Sequence, residues 1–164
     1  MPSAEVVRVG HGPGKMARTC AVVGNGGGLL ARELGATIDA HDVVIRFNGG
    51  PTVGFEKWVG ARTTWRITNT EHFGFQEPRA RATEGGVLQH ITNAPALARL
   101  VDYATKLDRS KHLAPMYMID PEFHYYALSV FALGAPSNGF YGTLLAGTRL
   151  RSIPLRRRSS PTCA

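Results

Sequence analysis

Glycine and asparagine residues at two places in the first third of the chain have the types and spacing to hold an anionic ligand. Gly24-Asn25-Gly26-Gly27-Gly28 follows a short apolar run, and Asn48 opens the polar turn Asn48-Gly49-Gly50-Pro51-Thr52. Glycine has no Cβ, so the backbone N–H groups of such a loop are open to a ligand, and an asparagine amide both donates and accepts hydrogen bonds. A third loop, Ser137-Asn138-Gly139, has the same small and polar character.

These loops must be positioned by elements that alternate along the chain. Apolar runs rich in β-branched and aromatic residues predict strands, and capping residues with periodic apolar positions predict helices. The predicted strands are Cys20–Val23, Val43–Phe47, Thr63–Thr68, Val87–Ile91 and Pro115–Ile119. The predicted helices are Leu29–Leu34 ended by Gly35, Asn93–Leu107, Pro121–Leu133 capped by Asp120, and Phe140–Ala146. This alternation indicates a Rossmann-like α/β fold, a mostly parallel sheet with helices on both faces.

The predicted topology suggests how the loops combine into a site. The first glycine loop lies between a strand and a helix start, where unpaired N–H groups and the helix dipole favour an anion. Loops that end neighbouring parallel strands border one crevice, so we expect Asn25 and Asn48 to lie together. Both asparagines also suit turns, because Asn tolerates a left-handed backbone. Ser137 suits a helix cap equally well, and the residues alone leave these alternatives open.

The segments around these loops resemble the sialyl motifs of the eukaryotic sialyltransferases, enzymes that use CMP-sialic acid. The large motif is matched by CAVVGN (20–25), IDAHDVVIRFN (38–48), PTVGFE (51–56) and VGARTT (59–64), and the start of the small motif by residues 135–139. The resemblance implies a GT-A-like variant of the Rossmann-like fold. It also implies a donor site for CMP-sialic acid at Asn25, Asn48, Ser137, Asn138 and Gly139. Asn138 stands where the family more usually has Thr or Ser.

The same resemblance implies transfer of sialic acid to a glycan hydroxyl with inversion, without a metal ion or other cofactor. The family's catalytic base is a His in a motif that follows the small motif by many tens of residues, whereas no His follows Gly139 here. His72 and His124 precede the small motif, so neither is assigned as the base, and His124-Tyr125-Tyr126 is predicted to be an aromatic core face. A positioned base contributes roughly 10²–10⁴-fold to the rate. We therefore expect a C-terminally incomplete family member with weak or no transfer activity.

Charge and composition limit the partners and divide the chain. The 164 residues carry a formal net charge of +7, but five arginines lie after residue 148 with no acidic residue among them. The remainder is nearly neutral, so no nucleic-acid partner is expected. The chain divides into an N-terminal extension (1–19), a donor-binding α/β domain (20–148) and a basic, disordered tail (149–164). The tail suits a solvated, phosphate-binding or nuclear-import segment, and mistranslated sequence is a further alternative.

The cellular compartment is predicted by the resemblance. Sialyltransferases are Golgi enzymes held by one N-terminal membrane helix, which implies a Golgi location and a glycan acceptor. No stretch here approaches the roughly 20 apolar residues of a membrane span, and residues 1–19 lack the apolar core of a signal peptide. We therefore expect a fragment, an incomplete gene model or a relocated relative.

The cysteine and metal-ligand patterns lead to expectations about a disulfide and about metal binding. In the family, the cysteine matched by Cys20 pairs with one in the small motif; the equivalent position falls near Leu150, and Cys163 is the other cysteine of this chain. The resemblance thus suggests a Cys20–Cys163 disulfide, while Cys20 also suits a small buried strand residue. There is no Asp-x-Asp pair and no Cys/His cluster with zinc spacing, and no metal site is expected.

Two other classes of function remain open at this stage. A strand followed by glycines resembles the dinucleotide-binding fingerprint of oxidoreductases. With Gly24 and Gly26 in its first two places, however, the third falls on Leu29, and Arg46-Phe47-Asn48 replaces the acid expected at the end of the second strand. A catalytically silent nucleotide-binding relative of the sialyltransferases is the second alternative.

Overall fold

A five-stranded sheet forms the centre of the molecule. The computed structural model of the chain describes residues 19–73, 75, 77, 85–91, 93–106, 116–131 and 136–147. The strands run parallel and in chain order: β1 (Cys20–Val23), β2 (Val43–Phe47), β3 (Trp65–Thr68), β4 (Gly86–Gln89) and β5 (Met116–Met118). The predicted parallel, Rossmann-like sheet is confirmed: β2, β3 and β4 are buried along their whole length, and β1 and β5 lie half-buried at its edges.

The helices connect and cover the strands. They are a 3-10 helix (Gly27–Ala31), α1 (Gly35–Asp39), α2 (Glu56–Val59), α3 (Ala94–Lys106), α4 (Pro121–Val130) and α5 (Asn138–Gly147). Two predicted helix starts are confirmed by their caps. The Asn93 side chain accepts a hydrogen bond from the Ala96 amide at 2.9 Å, and the Asp120 side chain accepts one from the Glu122 amide at 2.8 Å.

Both faces of the sheet are covered, as predicted. On one face, alternate strand residues such as Ile45 and Ile67 pack against α4 and α5, which contribute Phe123, Ala127 and Tyr141 to the core. On the opposite face, α1 packs a smaller cluster against β1 and β2; its buried members are Val23, Ile38 and Val44. The alternation of side chains along each strand therefore supplies two separate cores.

The first predicted helix, Leu29–Leu34, is wrong, and so is the role given to Gly35. The segment forms a five-residue 3-10 helix, and Gly35 begins α1 instead of ending a helix. Gly35 is buried where α1 meets α2, and a Cβ there would lie 1.9 Å from the Glu56 carbonyl oxygen. Glycine is needed for this close approach. The short 3-10 helix also has no substantial dipole, which removes one of the two arguments for an anion at the first loop.

The predicted aromatic core face of α4 is also wrong. Phe123 and Ala127 are its buried residues, whereas Tyr125 is 70% exposed and Tyr126 is 45% exposed. His124 is half-buried and belongs to a polar cluster. The helix therefore buries the stripe at 123 and 127, which is one turn of spacing.

Several expectations fall on residues outside the described ranges. These are the extension up to residue 18, the tail (149–164) and Cys163, so the Cys20–Cys163 disulfide stays a prediction. Cys20 itself is half-buried on β1, and burial raises the pKa of its thiol. None of the helices in the described residues has the length and apolar character needed to cross a membrane.

Candidate functional site

The carboxyl ends of the strands carry several polar residues, and two of them, Asn25 and Asn48, are predicted donor residues. Asn25 lies two residues after β1, and Asn48, Asn69 and His90 each directly follow β2, β3 and β4. Because all the strands are parallel, these ends meet at one edge of the sheet. The edge therefore collects amide and imidazole groups from successive strands.

The Asn25 side chain is fixed against the end of β2. Its Nδ2 donates a hydrogen bond to the Phe47 carbonyl oxygen at 3.0 Å. Its Oδ1 rests on Gly50, where a Cβ would lie only 2.3 Å away. Gly50 thus leaves room for the amide, and the loops after β1 and β2 are joined through Asn25.

A groove of about 190 Å³ opens beside Asn25. One side is formed by the glycine loop and the 3-10 helix, and the other by the loop after β2 and by α2. Its lining residues are Val23, Gly24, Asn25, Gly26, Gly27, Leu29, Leu30, Arg46, Gly50, Pro51, Phe55 and Val59. A Cβ on Gly24, Gly26 or Gly27 would meet no atom within 4 Å, so this loop borders open space.

Asn48 joins two distant parts of the chain. Its backbone has a φ of 47°, a left-handed conformation that Asn tolerates better than most residues. Its Oδ1 accepts hydrogen bonds from the Asn69 amide at 3.1 Å and from the Asn138 Nδ2 at 3.0 Å. The loops after β2 and β3 are thereby linked to the start of α5.

The small-motif residues lie at the first turn of α5. Ser137 is exposed, and its Oγ accepts a hydrogen bond from the Phe140 amide at 3.2 Å, so it caps the helix. Gly139 is half-buried, and a Cβ there would lie 3.6 Å from the Ser137 Oγ. The structure therefore brings Asn25, Asn48 and Asn138 to one edge. Of the five predicted donor residues, only Asn25 lines the groove.

Two buried arginines stand beneath this edge, paired in register on β2 and β3. Arg46 donates to carbonyl oxygens of the loop before β3: its Nε to Arg62 at 2.9 Å and its Nη2 to Val59 at 2.8 Å. Burial, together with the charge of Arg66, lowers the pKa of Arg46 to about 10, which still leaves it protonated near neutral pH. The sequence analysis gave neither arginine a structural role, because their partners are backbone atoms of other loops.

Arg66 and Glu77 fix the loop after β2. Arg66 Nη1 donates to the Asn48 and Gly50 carbonyl oxygens at 2.7 and 3.1 Å, and its Nη2 lies 3.7 Å from a Glu77 carboxylate oxygen. Glu77 accepts hydrogen bonds from the amides of Thr52 and Val53 and from the Thr52 hydroxyl, all between 2.8 and 3.0 Å. The loop that carries Asn48 is therefore fixed by hydrogen bonds to both Arg66 and Glu77.

The Glu77 carboxylate is stabilised in its charged form. Burial works to raise its pKa, but the hydrogen bonds from Val53 and Thr52 and the charge of Arg66 outweigh burial and lower the pKa overall. The carboxylate is thus ionised at any pH where the protein is expected to work.

A histidine cluster, consisting of His90, His124 and Tyr141, lies next to Asn138. His90 Nε2 and His124 Nδ1 are 3.2 Å apart, and the Tyr141 hydroxyl lies 2.5 Å from the same Nδ1. Burial and the neighbouring His124 lower the pKa of His90, while a hydrogen bond with Asn138 works in the opposite direction. The sequence analysis missed His90, because it placed this residue inside the predicted strand Val87–Ile91, whereas β4 ends at Gln89 and His90 directly follows it.

His72 also lies at this edge of the sheet. Its Nδ1 is 3.1 Å from the Asn69 Oδ1, and its ring packs against Gly49. Among the described residues, no three His, Cys, Asp or Glu side chains are grouped so that they could hold a metal ion.

Comparisons with known proteins identify the relatives of this fold. The model of glycosyltransferase family 29 (sialyltransferase) matches residues 3–87. A beta-galactoside alpha-2,6-sialyltransferase 2 of Xenopus tropicalis is 31% identical over 159 residues, covering 82% of this chain and 30% of the relative. A type 2 lactosamine alpha-2,3-sialyltransferase of Mus musculus is 58% identical over 50 residues, covering 30% of this chain and 15% of the relative.

A solved structure agrees with these sequence relatives. The crystal structure of a mammalian sialyltransferase superposes with a TM-score of 0.63 at 29% identity, covering 78% of this chain and 50% of that one. A related crystal structure of a mammalian sialyltransferase holds Gal-beta-1-3GalNAc-ortho-nitrophenol and gives a TM-score of 0.62. This chain thus spans half of the solved chain and 30% of the Xenopus relative.

Proposed function

The chain belongs to glycosyltransferase family 29, the sialyltransferases, and we propose that its sheet edge binds the nucleotide end of CMP-sialic acid. The observation that carries the proposal is the hydrogen bond between Asn48 and Asn138, two residues of separate sialyl motifs. Together with Asn25, they place three amide side chains at one edge of the sheet.

The chemistry of the donor suits these groups. CMP-sialic acid offers a phosphodiester, ribose hydroxyls, a cytosine and a carboxylate. Amide side chains can pair with the hydroxyls and the base, and the backbone N–H groups of the glycine loop suit the anionic parts. Arg46 lies 3% exposed in the wall of the groove and remains protonated near neutral pH, and the charges of Asp39 and Glu77 offset its own only in part. A buried cation beside an open glycine loop further favours an anionic ligand.

The proposed reaction is the transfer of sialic acid to a glycan hydroxyl with inversion. It requires a base for the acceptor hydroxyl, and none of the described residues is matched to the family's catalytic His. We therefore propose weak transfer by these 164 residues, and nucleotide binding without transfer is the second candidate function. A transfer assay with radiolabelled CMP-sialic acid and a galactose-terminated acceptor separates the two: rapid turnover contradicts weak transfer, and labelled product at a low rate contradicts a silent protein.

A Golgi location and metal independence belong to the same proposal. Transfer or CMP binding that is unchanged by EDTA supports metal independence, and restoration by Mn²⁺ after chelation contradicts it. Co-localisation of the tagged chain with a Golgi marker tests the compartment, and a diffuse cytosolic distribution contradicts it.

Titration calorimetry tests the nucleotide site. We expect CMP to bind and NAD to show no heat, because the third glycine and the acid of a dinucleotide site are missing. Asn48→Gly separates a ligand contact from a turn former: glycine keeps the left-handed backbone but removes the amide. The proposal expects a chain that still folds, with a modest loss of stability from the two lost hydrogen bonds, and a CMP affinity lowered about tenfold or more.

A matched variant controls for loss of an asparagine. Asn93 caps α3 and does not line the groove beside Asn25, and Asn93→Ser keeps a capping side chain. Wild-type CMP affinity in Asn93→Ser together with a loss in Asn48→Gly supports the site. Equal affinities in all three proteins contradict it.

A further inference from the structure

Arg46 has hydrogen-bond donors that the described part of the chain does not use. A guanidinium carries five N–H groups. Its Nε donates to the Arg62 carbonyl oxygen and the Thr63 hydroxyl, at 2.9 and 3.2 Å. Its Nη2 donates to the carbonyl oxygens of Val59 and Gly60, at 2.8 and 3.2 Å. The remaining nitrogen, Nη1, has no acceptor among the described residues, so its two N–H groups are left for a ligand.

This unused nitrogen opens onto the groove beside Asn25. Arg46 is 3% exposed, and the groove is the opening that its side chain lines. Within the described ranges, Trp65 Nε1 is the one side-chain nitrogen or oxygen that is both sealed from solvent and without a partner. Arg46 Nη1 also lacks a partner but is not sealed from solvent. Because nearly all of Arg46 is enclosed, we infer that Nη1 is the part of it that the groove reaches.

The neighbouring arginine on β3 provides a contrast. Arg66 has partners at both of its terminal nitrogens: Nη1 donates to two loop carbonyl oxygens, and Nη2 lies 3.7 Å from a Glu77 oxygen. Arg66 does not line the groove. Its charge nevertheless acts on Arg46, which is paired with it in register. Two cations thus lie beside the groove, and an anion at Arg46 Nη1 would be attracted by both.

The size and lining of the groove limit what it can hold. Its volume of about 190 Å³ is below the roughly 300–1,000 Å³ of pockets that enclose a drug-sized ligand. It therefore suits one small anionic group with a few carbon atoms behind it, not a whole nucleotide. A charged hydrogen bond is stronger where apolar walls exclude water. Apolar side chains form much of the wall: Leu29, Leu30, Phe55 and Val59.

We propose that the groove is the subsite for the sugar end of CMP-sialic acid, where Arg46 Nη1 binds the sialic acid carboxylate. This inference rests on the proposed nucleotide site. Asn25 belongs to that site and also lines the groove, so the two adjoin. The proposal makes Arg46 a specificity-determining residue, which distinguishes the sugar nucleotide from free CMP.

Titration calorimetry with three ligands tests the assignment of the carboxylate. CMP lacks the sugar, and the methyl ester of CMP-sialic acid keeps the sugar but has no charged carboxylate. We expect CMP-sialic acid to bind about tenfold or more tightly than either of them, the worth of one charged hydrogen bond. Equal affinities for CMP-sialic acid and its methyl ester overturn the assignment.

A variant that fills the groove tests the location. Leu30 is 44% exposed and lines the groove, whereas Leu34 is 39% exposed and does not line it. Leu30→Trp should abolish the preference for CMP-sialic acid over CMP and leave CMP affinity within about threefold of wild type. Leu34→Trp is the matched control and should keep both values. A preference that survives in Leu30→Trp overturns the proposal. Equal losses for CMP and CMP-sialic acid also overturn it, because the groove would then hold the phosphate.

Arg46→Lys removes the unused nitrogen and keeps a positive charge that can donate to the loop before β3. The preference for CMP-sialic acid should be lost, with CMP affinity within about threefold of wild type. Arg66→Lys acts on the loop that carries Asn48 and should weaken both ligands by the same factor. A wild-type preference in Arg46→Lys, or a loss confined to CMP-sialic acid in Arg66→Lys, overturns the proposal. If Arg46→Lys does not fold, Leu30→Trp decides.

Nuclear magnetic resonance keeps this test apart from the nucleotide assignment. Absence of CMP binding contradicts the proposed function, and the groove is then tested alone with free sialic acid and its methyl ester. In the ¹⁵N-labelled chain, the Arg46 Nε–H signal should shift with the acid and stay in place with the ester. The same response to both ligands, or a response to neither, overturns the subsite.

Discussion

Arg46 and Arg66 lie side by side on β2 and β3, much as His90 and His124 face each other between the end of β4 and α4. The arginines remain charged and donate to loop carbonyl oxygens, with Glu77 close to Arg66. The histidines have each other and Tyr141 as partners, and burial lowers the pKa of His90. One pair therefore fixes loops through charged hydrogen bonds, whereas the other is held by ring packing and by its contacts with Tyr141.

The difference shows how one sheet edge combines a region held by charged groups with a region held by packed rings. Arg66 and Glu77 fix the loop that carries Asn48. Asn138 reaches the same Asn48 from the side of the histidine cluster. Asn48 is thus the point at which the two regions meet. Variants of the two regions should differ in how much they lower the free energy of unfolding and in how that free energy depends on pH.

The largest effect is expected from Glu77→Ala. Its removal leaves Arg66, which is 2% exposed, without a carboxylate and frees the amides of Thr52 and Val53. Loss of one partner from a buried ion pair costs about 3–5 kcal/mol, which should appear as a lower free energy of unfolding in urea.

An exposed ion pair provides the matched control for that variant. Glu33 and Lys57 are 2.7 Å apart, but each side chain is 59% exposed. Glu33→Ala should cost no more than about 1 kcal/mol, since solvent screens such pairs. Equal losses in Glu33→Ala and Glu77→Ala would contradict the role given to Glu77.

A smaller effect is expected from Tyr141→Phe in the histidine cluster. The variant keeps the buried ring but removes the hydroxyl that meets His124 Nδ1. Because a single hydrogen bond is lost, the free energy of unfolding should fall by about 0.5–1.5 kcal/mol. A loss as large as that of Glu77→Ala would show that the two regions do not differ in the way described.

The dependence of stability on pH gives the smallest and most specific effects. The folded pKa of His90 lies below 6.5, so the unfolded chain takes up that proton first, and stability is lost as the pH falls from about 6.5 through the folded pKa. The folded pKa of Glu77 lies below 4.5, so its contribution is lost only as the pH falls further. Urea unfolding across this range should show two stages. His90→Gln should remove the upper stage alone, and an upper stage that persists in this variant would contradict the assignment.

The sequence predicted those parts of the fold that depend on local patterns. Buried strands can be recognised in the sequence as short apolar runs. The caps Asn93 and Asp120 can be recognised too, because each binds an amide within three residues of its own position. Gly35 was misread because its partner is the backbone of α2, more than 20 residues away. The amino-acid pattern of a segment does not indicate a close approach to a backbone that lies far away in the sequence.

The candidate site, like the fold, was predictable only where it depends on local patterns and on the order of the strands. The asparagines after β1 and β2 could be placed at one edge, because parallel strands end together. The contact of Asn138 with Asn48 spans 90 residues and depends on how α5 packs on the sheet. His90 and His124 come together only through the packing of α4 and α5, so their pairing could not be predicted from their positions in the sequence.

The nucleotide site at the edge of the sheet is tested most directly by adding CMP to the ¹⁵N-labelled chain. The side-chain amide signals of Asn25, Asn48 and Asn138 should shift together along one saturable titration curve, with the Asn93 signal unmoved as an internal control. The account is contradicted if CMP leaves all three signals in place while the chain is folded, or if it shifts Asn93 as strongly as the three residues at the edge.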